Sequence, residues 1–269
     1  MADIVCIPSR GRPKPSPTAL HLVRGGVPYR IFVRHDEYNL YRKVYDRNDL
    51  VSLPRGTEGI APTKQFILDW AIINKCRVIM ADDDLKFFVR IPTGEKFIQA
   101  GPEDLEILCR GLFEALDDYT AIGIPGRFLA NNLPRGFVDA KRLACFWAVD
   151  PVKVKKAGVK YGAVPVQVDL LFGLELLLRG HNVGLYCEAA HDQASGFGAT
   201  GGCSTFRTAK VLADASRKME EMYPQYVKTF VRKSSTFKSA SENGERLEVR
   251  VQWSKAYKDG VNNARHQSP

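Results

Sequence analysis

Short runs of β-branched and apolar residues alternate with longer stretches of helical periodicity up to about residue 192. This alternation is typical of an α/β sheet whose strands are joined by crossover helices. We therefore expect an α/β fold with a mixed, mostly parallel central sheet flanked by helices. The predicted strands are Ile4–Ile7, Tyr29–Val33, Leu50–Leu53, Arg77–Ala81, Ala121–Ile124, Ala144–Val149 and Val183–Tyr186. The predicted helices are Thr18–Arg24, Ala61–Asn74, Pro102–Tyr119, Val168–Arg179 and Thr205–Tyr223.

The composition changes after about residue 192. The stretch Asp192–Ser204 contains four glycines, and Arg232–Gly244 is polar and rich in Ser, Lys and Asn. We expect a long surface loop over Arg232–Gly244, a strand over Leu247–Trp253 and a frayed terminus. One compact domain with a basic C-terminal appendage is the simplest organisation.

Basic residues are concentrated at the two ends of the chain. The 39 Lys and Arg outnumber the 30 Asp and Glu, which gives a formal charge of +9, and the excess lies in residues 1–55 and 203–269 around a slightly acidic middle. Such a distribution can attract nucleic acid to one surface or hold the phosphates of a nucleotide. A solvated basic tail explains the C-terminal excess equally well.

Cysteine usage and apolar runs bear on the compartment. The six cysteines lie far apart without a C-x-x-C pair, and no secretory leader follows Met1. We therefore expect a reducing compartment, the cytoplasm. The longest apolar runs, such as Phe66–Asn74 and Leu170–Leu178, are shorter than the roughly 20 residues that span a bilayer. We expect no membrane insertion.

Three adjacent carboxylates, Asp82, Asp83 and Asp84, directly follow the predicted strand Arg77–Ala81. Ligands of open α/β sheets bind at the carboxyl ends of strands. Asp82 and Asp84 point the same way if the chain stays extended, so a hard divalent ion could be shared between them and phosphate oxygens. An Asp-rich turn that caps the next segment is the alternative.

The first predicted strand runs into the segment Ile7–Pro13, which places Arg10 and Arg12 around a glycine. Prolines fix the backbone on either side, so the segment predicts a rigid anion-binding loop at a strand end. Plain surface charge is the alternative. Neither a G-x-G-x-x-G nor a G-x-x-x-x-G-K-[ST] pattern occurs, which argues against a dinucleotide-binding dehydrogenase and a P-loop NTPase.

Two later residues are candidates for catalysis and metal binding. Asp169 lies at the start of the apolar helix Val168–Arg179, where it could act as a general base or merely complement the helix dipole. His191 follows the strand Val183–Tyr186, and a neutral imidazole there could complete a metal shell begun by Asp84. A zinc site from Cys187, His191 and Cys203 is disfavoured, because their spacing matches no common pattern and a fourth ligand is missing.

The glycine-rich stretch Ser195–Ser204 lets backbone N–H groups approach phosphate closely. Two further segments, His35–Tyr45 and Phe128–Phe137, combine aromatic rings with Arg, Lys and Asn. Such surfaces stack on bases or sugars. Core packing accounts for many of these rings equally well.

The ordered set of a basic loop, an Asp triplet, a later acid and a later His resembles the GT-A glycosyltransferases, whose D-x-D motif holds a divalent ion on a sugar nucleotide. More narrowly, the chain resembles the phage glycosyltransferases associated with TET/JBP-type oxygenases, over about residues 3–208. The motifs that carry this resemblance are Ile7–Arg12, Asp82–Asp84, Val168–Leu170 and Gly201–Thr208. The resemblance implies a GT-A-like, Rossmann-like sheet. Its catalytic domain would span residues 1–208, with a nucleotide-binding half (1–84), an acceptor half (85–208) and a C-terminal helix and basic appendage (209–269).

The resemblance also implies roles for individual residues. Asp82 and Asp84 would handle Mn²⁺ or Mg²⁺ and the donor, with His191 as a further metal ligand. Asp169 would be the base that deprotonates the acceptor, and Arg207 would neutralise the leaving diphosphate. The other residues expected to contact the nucleotide sugar are Pro8, Ser9, Arg10, Arg12, Lys64, Asp83, Gly201 and Gly202.

The function implied is an inverting, metal-dependent transfer of a hexose or pentose from a UDP-sugar to 5-hydroxymethylcytosine in phage DNA. The partners would be the nucleotide sugar and DNA with hydroxymethylated pyrimidine, in the host cytoplasm, for a monomer or small homo-oligomer. A glycosyltransferase with a glycan or protein acceptor is the closest alternative. A metal-dependent nuclease or a non-catalytic DNA-binding module would also use an acidic cluster or the basic ends.

Overall fold

The computed structural model describes residues 2–94, 96–193, 207–233, 242 and 244–267. Its strands are β1 (Ala2–Ser9), β2 (Tyr29–Val33), β3 (Leu50–Ser52), β4 (Cys76–Ala81), β5 (Leu85–Arg90), β6 (Phe97–Gln99), β7 (Ala121–Gly123), β8 (Phe137–Asp139), β9 (Phe146–Val149), β10 (Val183–Tyr186), β11 (Ala189–Gln193), β12 (Val227–Lys233) and β13 (Glu245–Val251). Its helices are α1 (Pro17–Arg24), α2 (Tyr38–Tyr41), α3 (Ile60–Ile73), α4 (Pro102–Glu114), α5 (Arg127–Ala130), α6 (Pro151–Ala157), α7 (Val168–Leu178), α8 (Ala209–Met222) and α9 (Trp253–Gln267).

Eight strands form the central sheet, in the order β3-β2-β1-β4-β9-β7-β10-β8. Strand β9 is antiparallel to β4 and β7, and β8 is antiparallel to β10, whereas the other pairings are parallel. The predicted fold class is therefore confirmed: a mixed, mostly parallel sheet in a Rossmann-type α/β arrangement consistent with a GT-A-like fold. The carboxyl ends of β1, β4 and β7 face one edge, as parallel strands require.

Hydrophobic cores lie on both faces of this sheet. Successive residues of β1 point to opposite faces, so Cys6 joins one buried cluster and Val5 joins the other. Helices α3, α6 and α7 cover the first face, and α1 and α4 cover the second. Both faces are covered, which is why the strands are apolar runs with little alternation.

Helix α7 is the most buried helix of the described chain. Nine of its eleven residues are buried, because the sheet lies on one side of it and α9 on the other. A Cβ atom added to Gly260 of α9 would lie only 2.0 Å from the carbonyl oxygen of Leu177. The two helices thus pack with their backbones in close approach.

The prediction of a frayed terminus is wrong, because residues Trp253–Gln267 form α9. Its apolar residues recur at helical spacing and pack against the core: Ala256 is buried, and Trp253 and Tyr257 pack beside it. The sequence pattern over these four turns was present but weak, since polar and charged residues separate the apolar ones.

The predicted strand Leu247–Trp253 is shifted, because β13 spans Glu245–Val251 and Trp253 begins a helix. The predicted loop over Arg232–Gly244 is partly wrong, since β12 continues to Lys233 and pairs with β13. This hairpin lacks a run of core residues that would have indicated a strand. The remainder of that segment lies largely outside the described residues.

A second, three-stranded sheet, β11-β5-β6, follows the Asp triplet and was not predicted. Strand β11 pairs with β5 so that His191 lies opposite Phe87. His191 is therefore held in a strand. No helix in the described part of the chain is long and apolar enough to cross a membrane. The cysteines described as free thiols are Cys6, Cys76, Cys109, Cys145 and Cys187.

Candidate active site

The first loop and the Asp triplet meet because β1 and β4 are neighbouring parallel strands. Ser9 ends β1, and its Oγ donates a hydrogen bond of 2.7 Å to Asp83 Oδ2. Arg12 Nη1 donates one of 2.7 Å to Asp83 Oδ1 and lies 3.5 Å from Asp84 Oδ2. The basic loop and the acidic triplet thus lie in contact. Pro8 precedes Ser9 within β1, and Arg10 follows it at the start of the loop.

Side chains of the segment His35–Tyr45 hold the first loop in shape. Gly11 has a positive φ of 66° and donates its N–H to Glu37 Oε2 at 2.7 Å. The hydroxyl of Tyr41 lies 2.9 Å from Ser9 Oγ, and the hydroxyl of Tyr45 accepts from the Ser16 N–H. Tyr41 is buried. These rings pack against the loop and hold it in place, in agreement with the core-packing alternative for this segment.

The triplet is also fixed through its backbone. Ser16 Oγ donates to the carbonyl of Asp83 at 2.6 Å, and Thr18 Oγ1 donates to the carbonyl of Asp82 at 2.6 Å. The Leu85 N–H donates to Thr18 Oγ1 at 2.9 Å. The first turn of α1 therefore holds the turn between β4 and β5, and all three carboxylates start from a rigid backbone.

A buried charge cluster lies beside the triplet. Lys64 Nζ donates hydrogen bonds to Asp169 Oδ1 at 2.7 Å and to Oδ2 at 2.6 Å, and the lysine is only 3% exposed. Burial opposes the charge of Lys64, but Asp169 and Asp82 outweigh it and raise its pKa. Burial raises the pKa of Asp82 to about 6; Lys64 opposes this shift, and the charges of Asp169 and Asp84 add to it. One ammonium thus faces more than one carboxylate.

Two helices bring this pair together. Lys64 lies near the amino end of α3, next to Thr63, whose Oγ1 donates to the Gly59 carbonyl at 2.8 Å. Asp169 lies in the first turn of α7, two residues after Gln167, which adopts a positive φ of 59°. A left-handed conformation at a non-glycine residue is strained. The strain at Gln167 turns the chain so that Asp169 faces the sheet edge.

Sequence reasoning missed Tyr161, which also contacts Asp169. Its hydroxyl donates to Asp169 Oδ1 at 3.2 Å, and its ring stacks on Phe172 of α7 at 4.5 Å between centroids. Burial, together with Asp169, raises the pKa of Tyr161 well above its usual value. The phenol is therefore a proton donor to the carboxylate throughout the neutral range.

Cys145 is a second residue that the sequence did not indicate. It has a positive φ of 59°, and its carbonyl accepts from the Asp82 N–H at 2.8 Å. Burial, and then Asp82, raise the pKa of its thiol well above the usual value. The neutral thiol donates to Asp82, so Cys145 positions that carboxylate and is not a nucleophile.

His191 lies on the other side of the segment Ala144–Cys145. It is 5% exposed, and its N–H donates to the Pro125 carbonyl at 3.0 Å. Burial lowers the pKa of His191 to about 4, although the Ala144 backbone favours the charged ring. Within the described residues neither ring nitrogen has a hydrogen-bond partner of good geometry. The lowered pKa favours the neutral ring, which has one N–H and one unprotonated nitrogen.

These groups bear on whether a divalent ion fits. Carboxylate oxygens and neutral imidazole nitrogen are suitable donors for Mn²⁺, and Asp84 is close enough for its charge to raise the pKa of Asp82. The unprotonated ring nitrogen of His191 is a suitable donor too. Among the described side chains, however, no three His, Cys, Asp or Glu residues are grouped as a metal site. The chain thus supplies side chains that suit a divalent ion. Asp82 and Asp84 are the two of them that lie in the same turn.

The remaining predicted site residues lie further along the chain. Gly201 and Gly202 lie outside the described residues, as does Cys203 of the disfavoured zinc site. Arg207 directly precedes Thr208, whose Oγ1 accepts from the Val211 N–H as the N-cap of α8. The roles assigned to these residues stay predictions.

Comparison with known proteins bears on the first half of the chain. Residues 4–133 match the sequence model of the family described as TET-Associated Glycosyltransferase. The matched span includes the Ser9–Arg12 loop, Lys64 and the Asp triplet, and it ends before Asp169. No curated protein sequence matches the chain significantly.

Among solved structures, one match is described as the crystal structure of A197 from STIV, at 12% identity and a TM-score of 0.42. The alignment covers 72% of this chain and 85% of that one. The family match confirms the resemblance that the motifs predicted: over residues 4–133 this chain is similar to the TET-associated glycosyltransferases, a family that implies glycosyltransferase activity in general.

Proposed function

We propose that this protein transfers a sugar from a nucleotide sugar, a UDP-sugar, to the hydroxymethyl group of 5-hydroxymethylcytosine in phage DNA. The observation that carries the proposal is the buried cluster of Lys64, Asp82 and Asp169 beside the Asp triplet. Lys64 and Asp82 lie within the residues that match the glycosyltransferase family.

The donor would bind at the edge formed by the first loop and the triplet. Guanidinium groups there suit a diphosphate, since a planar fork donates to two oxygens at once. Both oxygens of Asp83 are already bonded, to Ser9 and Arg12. We therefore assign Asp83 to holding the loop, and Asp82 and Asp84 to the donor side.

The acceptor would be activated by Asp169. Its carboxylate takes the proton of the hydroxymethyl group while the oxygen bonds to the anomeric carbon, and the bond from that carbon to the diphosphate breaks with its electron pair. Attack opposite the leaving group gives inversion. Lys64 and Tyr161 orient the carboxylate before reaction. Arg207 would stabilise the negative charge of the departing diphosphate.

The ion would be Mn²⁺ or Mg²⁺, held by Asp82 and Asp84 with His191 as a further ligand. When bound, it supplies positive charge that stabilises the departing nucleotide diphosphate. The support for this assignment is the donor chemistry of the pair and the buried imidazole, whose unprotonated nitrogen has no hydrogen-bond partner among the described residues.

The acceptor would be attracted by the basic ends of the chain. In the C-terminal hairpin, part of this charge is internally paired, since Arg232 lies 3.3 Å from Glu248 and Lys233 lies 2.5 Å from Glu245. Contacts to phosphate make DNA binding steeply salt-dependent. Higher salt is therefore expected to weaken DNA binding steeply and nucleotide-sugar binding little.

The test is mass spectrometry of nucleosides from 5-hydroxymethylcytosine DNA incubated with the protein, Mn²⁺ and a panel of nucleotide sugars. A pentose or hexose mass gain that Asp84→Ala abolishes would support the proposal and identify the donor. Donor hydrolysis without any gain on DNA would favour a glycan or protein acceptor. Cleavage of unmodified DNA with Mg²⁺ would favour a nuclease.

A further inference from the structure

An exposed aromatic side chain lies at the same edge of the sheet as the candidate active site. Helix α5 follows β7 at its carboxyl end, and its Phe128 is 82% exposed, with Leu129 exposed beside it. Phe137, at the start of the antiparallel β8, is also exposed and lies opposite Tyr186 at the end of β10. Large apolar side chains exposed together commonly mark a binding surface.

The backbone places Phe128 next to His191. Gly126 forms a parallel bridge with His191. A Cβ atom added to Gly126 would lie 3.1 Å from Phe128 Cε1 and 3.8 Å from His191 Cε1. Phe128 and His191 therefore both lie beside Gly126, which follows the carboxyl end of β7.

The backbone around Phe128, from Arg127 to Arg135, is held by several contacts although the rings are exposed. The Arg127 guanidinium lies 3.9 Å from the centre of the Phe88 ring. Arg90 Nη2 donates to the Ala130 carbonyl at 3.1 Å. Arg135 Nη2 donates to Glu188 Oε2 at 2.6 Å. Because this backbone is already held in place, little backbone freedom is lost when Phe128 binds a flat partner.

The surroundings of Phe128 are positively charged. Residues 127–142 carry four basic side chains, Arg127, Arg135, Lys141 and Arg142, against the carboxylate of Asp139. Arg135 is paired with Glu188, so Arg127, Lys141 and Arg142 supply the positive excess. An exposed ring on a cationic surface complements a nucleic-acid strand, whose bases stack on rings and whose phosphates attract cations. A neutral glycan would match the ring but not the charge.

We propose that Phe128 stacks on a base of the acceptor DNA strand, single-stranded or extruded from the duplex, and so holds the hydroxymethylated base at the active site. This inference rests on the proposed function, because it takes DNA as the acceptor. The cationic segment 127–142 holds the neighbouring phosphates.

The experiment compares wild type with Phe128→Ala, Phe128→Trp and, as a matched control, Ile73→Ala. Ile73 is 79% exposed at the far end of α3, away from the carboxyl edge. The probe is a single-stranded oligonucleotide with 5-hydroxymethylcytosine beside 2-aminopurine, whose fluorescence falls on stacking. Its Kd is measured by anisotropy, and transfer and donor hydrolysis are measured separately.

Phe128→Ala is expected to raise the oligonucleotide Kd and the acceptor KM by about tenfold and to reduce the quenching. Phe128→Trp should restore binding, Ile73→Ala should bind like wild type, and donor hydrolysis without DNA should be unchanged in all variants. Unchanged Kd and quenching in Phe128→Ala, or no oligonucleotide binding by wild type, would overturn the inference.

The two proposals fail separately. Wild type that binds the oligonucleotide through Phe128 but transfers sugar only to a glycan would refute the DNA-acceptor function and leave the stacking contact standing. Transfer to DNA that Phe128→Ala leaves unchanged in KM would support the function and refute the stacking role.

Discussion

Lys64 and Asp169 lie 105 positions apart in the sequence and form a bidentate ion pair in which the lysine side chain is almost fully buried. Each lies near the amino end of its helix, so the pair joins the amino ends of α3 and α7. The same ammonium faces Asp82. The pair therefore connects the half of the chain that matches the glycosyltransferase family with the residue proposed as the base.

Breaking this pair from either side should destabilise the fold. Lys64→Met leaves a carboxylate without its cation, and Asp169→Asn leaves a buried ammonium, so each should lower the free energy of unfolding by about 3 to 5 kcal/mol. The double variant removes both charges and should recover much of that loss. Urea denaturation of the four proteins gives the coupling energy, and strictly additive losses would contradict the pairing.

Tyr161 should act on the base through one hydrogen bond. Tyr161→Phe keeps the stacking on Phe172 but removes the hydroxyl, so kcat should fall while the KM for the nucleotide sugar stays the same. We expect a stability loss of about 1 kcal/mol. A change confined to the donor KM would place Tyr161 at the donor instead. Steady-state kinetics with both substrates varied distinguish the two.

Transfer should depend on a divalent ion. Chelation with EDTA should abolish sugar transfer, and added Mn²⁺ should restore it. Asp84→Asn should weaken Mn²⁺ binding by more than about tenfold, measured by electron paramagnetic resonance of the ion without substrate. Asp36→Asn, an exposed carboxylate paired with Arg34, is the control. Equal Mn²⁺ affinity in wild type and Asp84→Asn would remove the metal site from the triplet.

The pair of Arg135 and Glu188 predicts how stability depends on pH. The Arg135 guanidinium, together with the Gly136 N–H, lowers the pKa of Glu188. A carboxylate with a lowered folded-state pKa stabilises the fold above its unfolded value, and this stabilisation is lost as the pH falls through the folded value. Glu188→Gln should therefore lower Tm more at pH 7 than at pH 3. Equal losses at both pH values would mean that the ionised form contributes nothing.

The close packing of α9 on α7 can be tested by adding one methyl group. Gly260→Ala would place a Cβ atom 2.0 Å from a backbone oxygen, and we expect a loss of about 1 to 3 kcal/mol. Gly111→Ala in α4 meets no atom within 4 Å and should stabilise that helix by up to about 1 kcal/mol. Thermal unfolding measures both, and similar effects of the two changes would contradict the packing.

Local patterns predicted the parts of the fold that depend on neighbours in the sequence. The apolar strands of the central sheet and the long helices α3 and α7 are close to their predicted bounds. The predicted strand Ala144–Val149 begins later, at Phe146, because Cys145 adopts a left-handed conformation. Nothing in its residue type indicates this.

The site was only partly predictable. The position of Asp82–Asp84 after an apolar strand indicated the edge where they lie. The partner of Lys64 could not be inferred, because the pairing depends on how α3 and α7 pack and not on either helix alone. The same holds for Tyr161, which reaches Asp169 through its stacking on Phe172.

The middle carboxylate of the triplet has a consequence for how such sequences diverge. Both oxygens of Asp83 are engaged by Ser9 and Arg12, so a substitution at position 83 alone would remove one acceptor from a buried hydroxyl and one from a guanidinium. In diverging lineages we expect positions 9, 12 and 83 to change together. A change at position 82 or 84 would instead accompany a change of donor or metal, and the covariation pattern would separate the two kinds of residue within one three-letter motif.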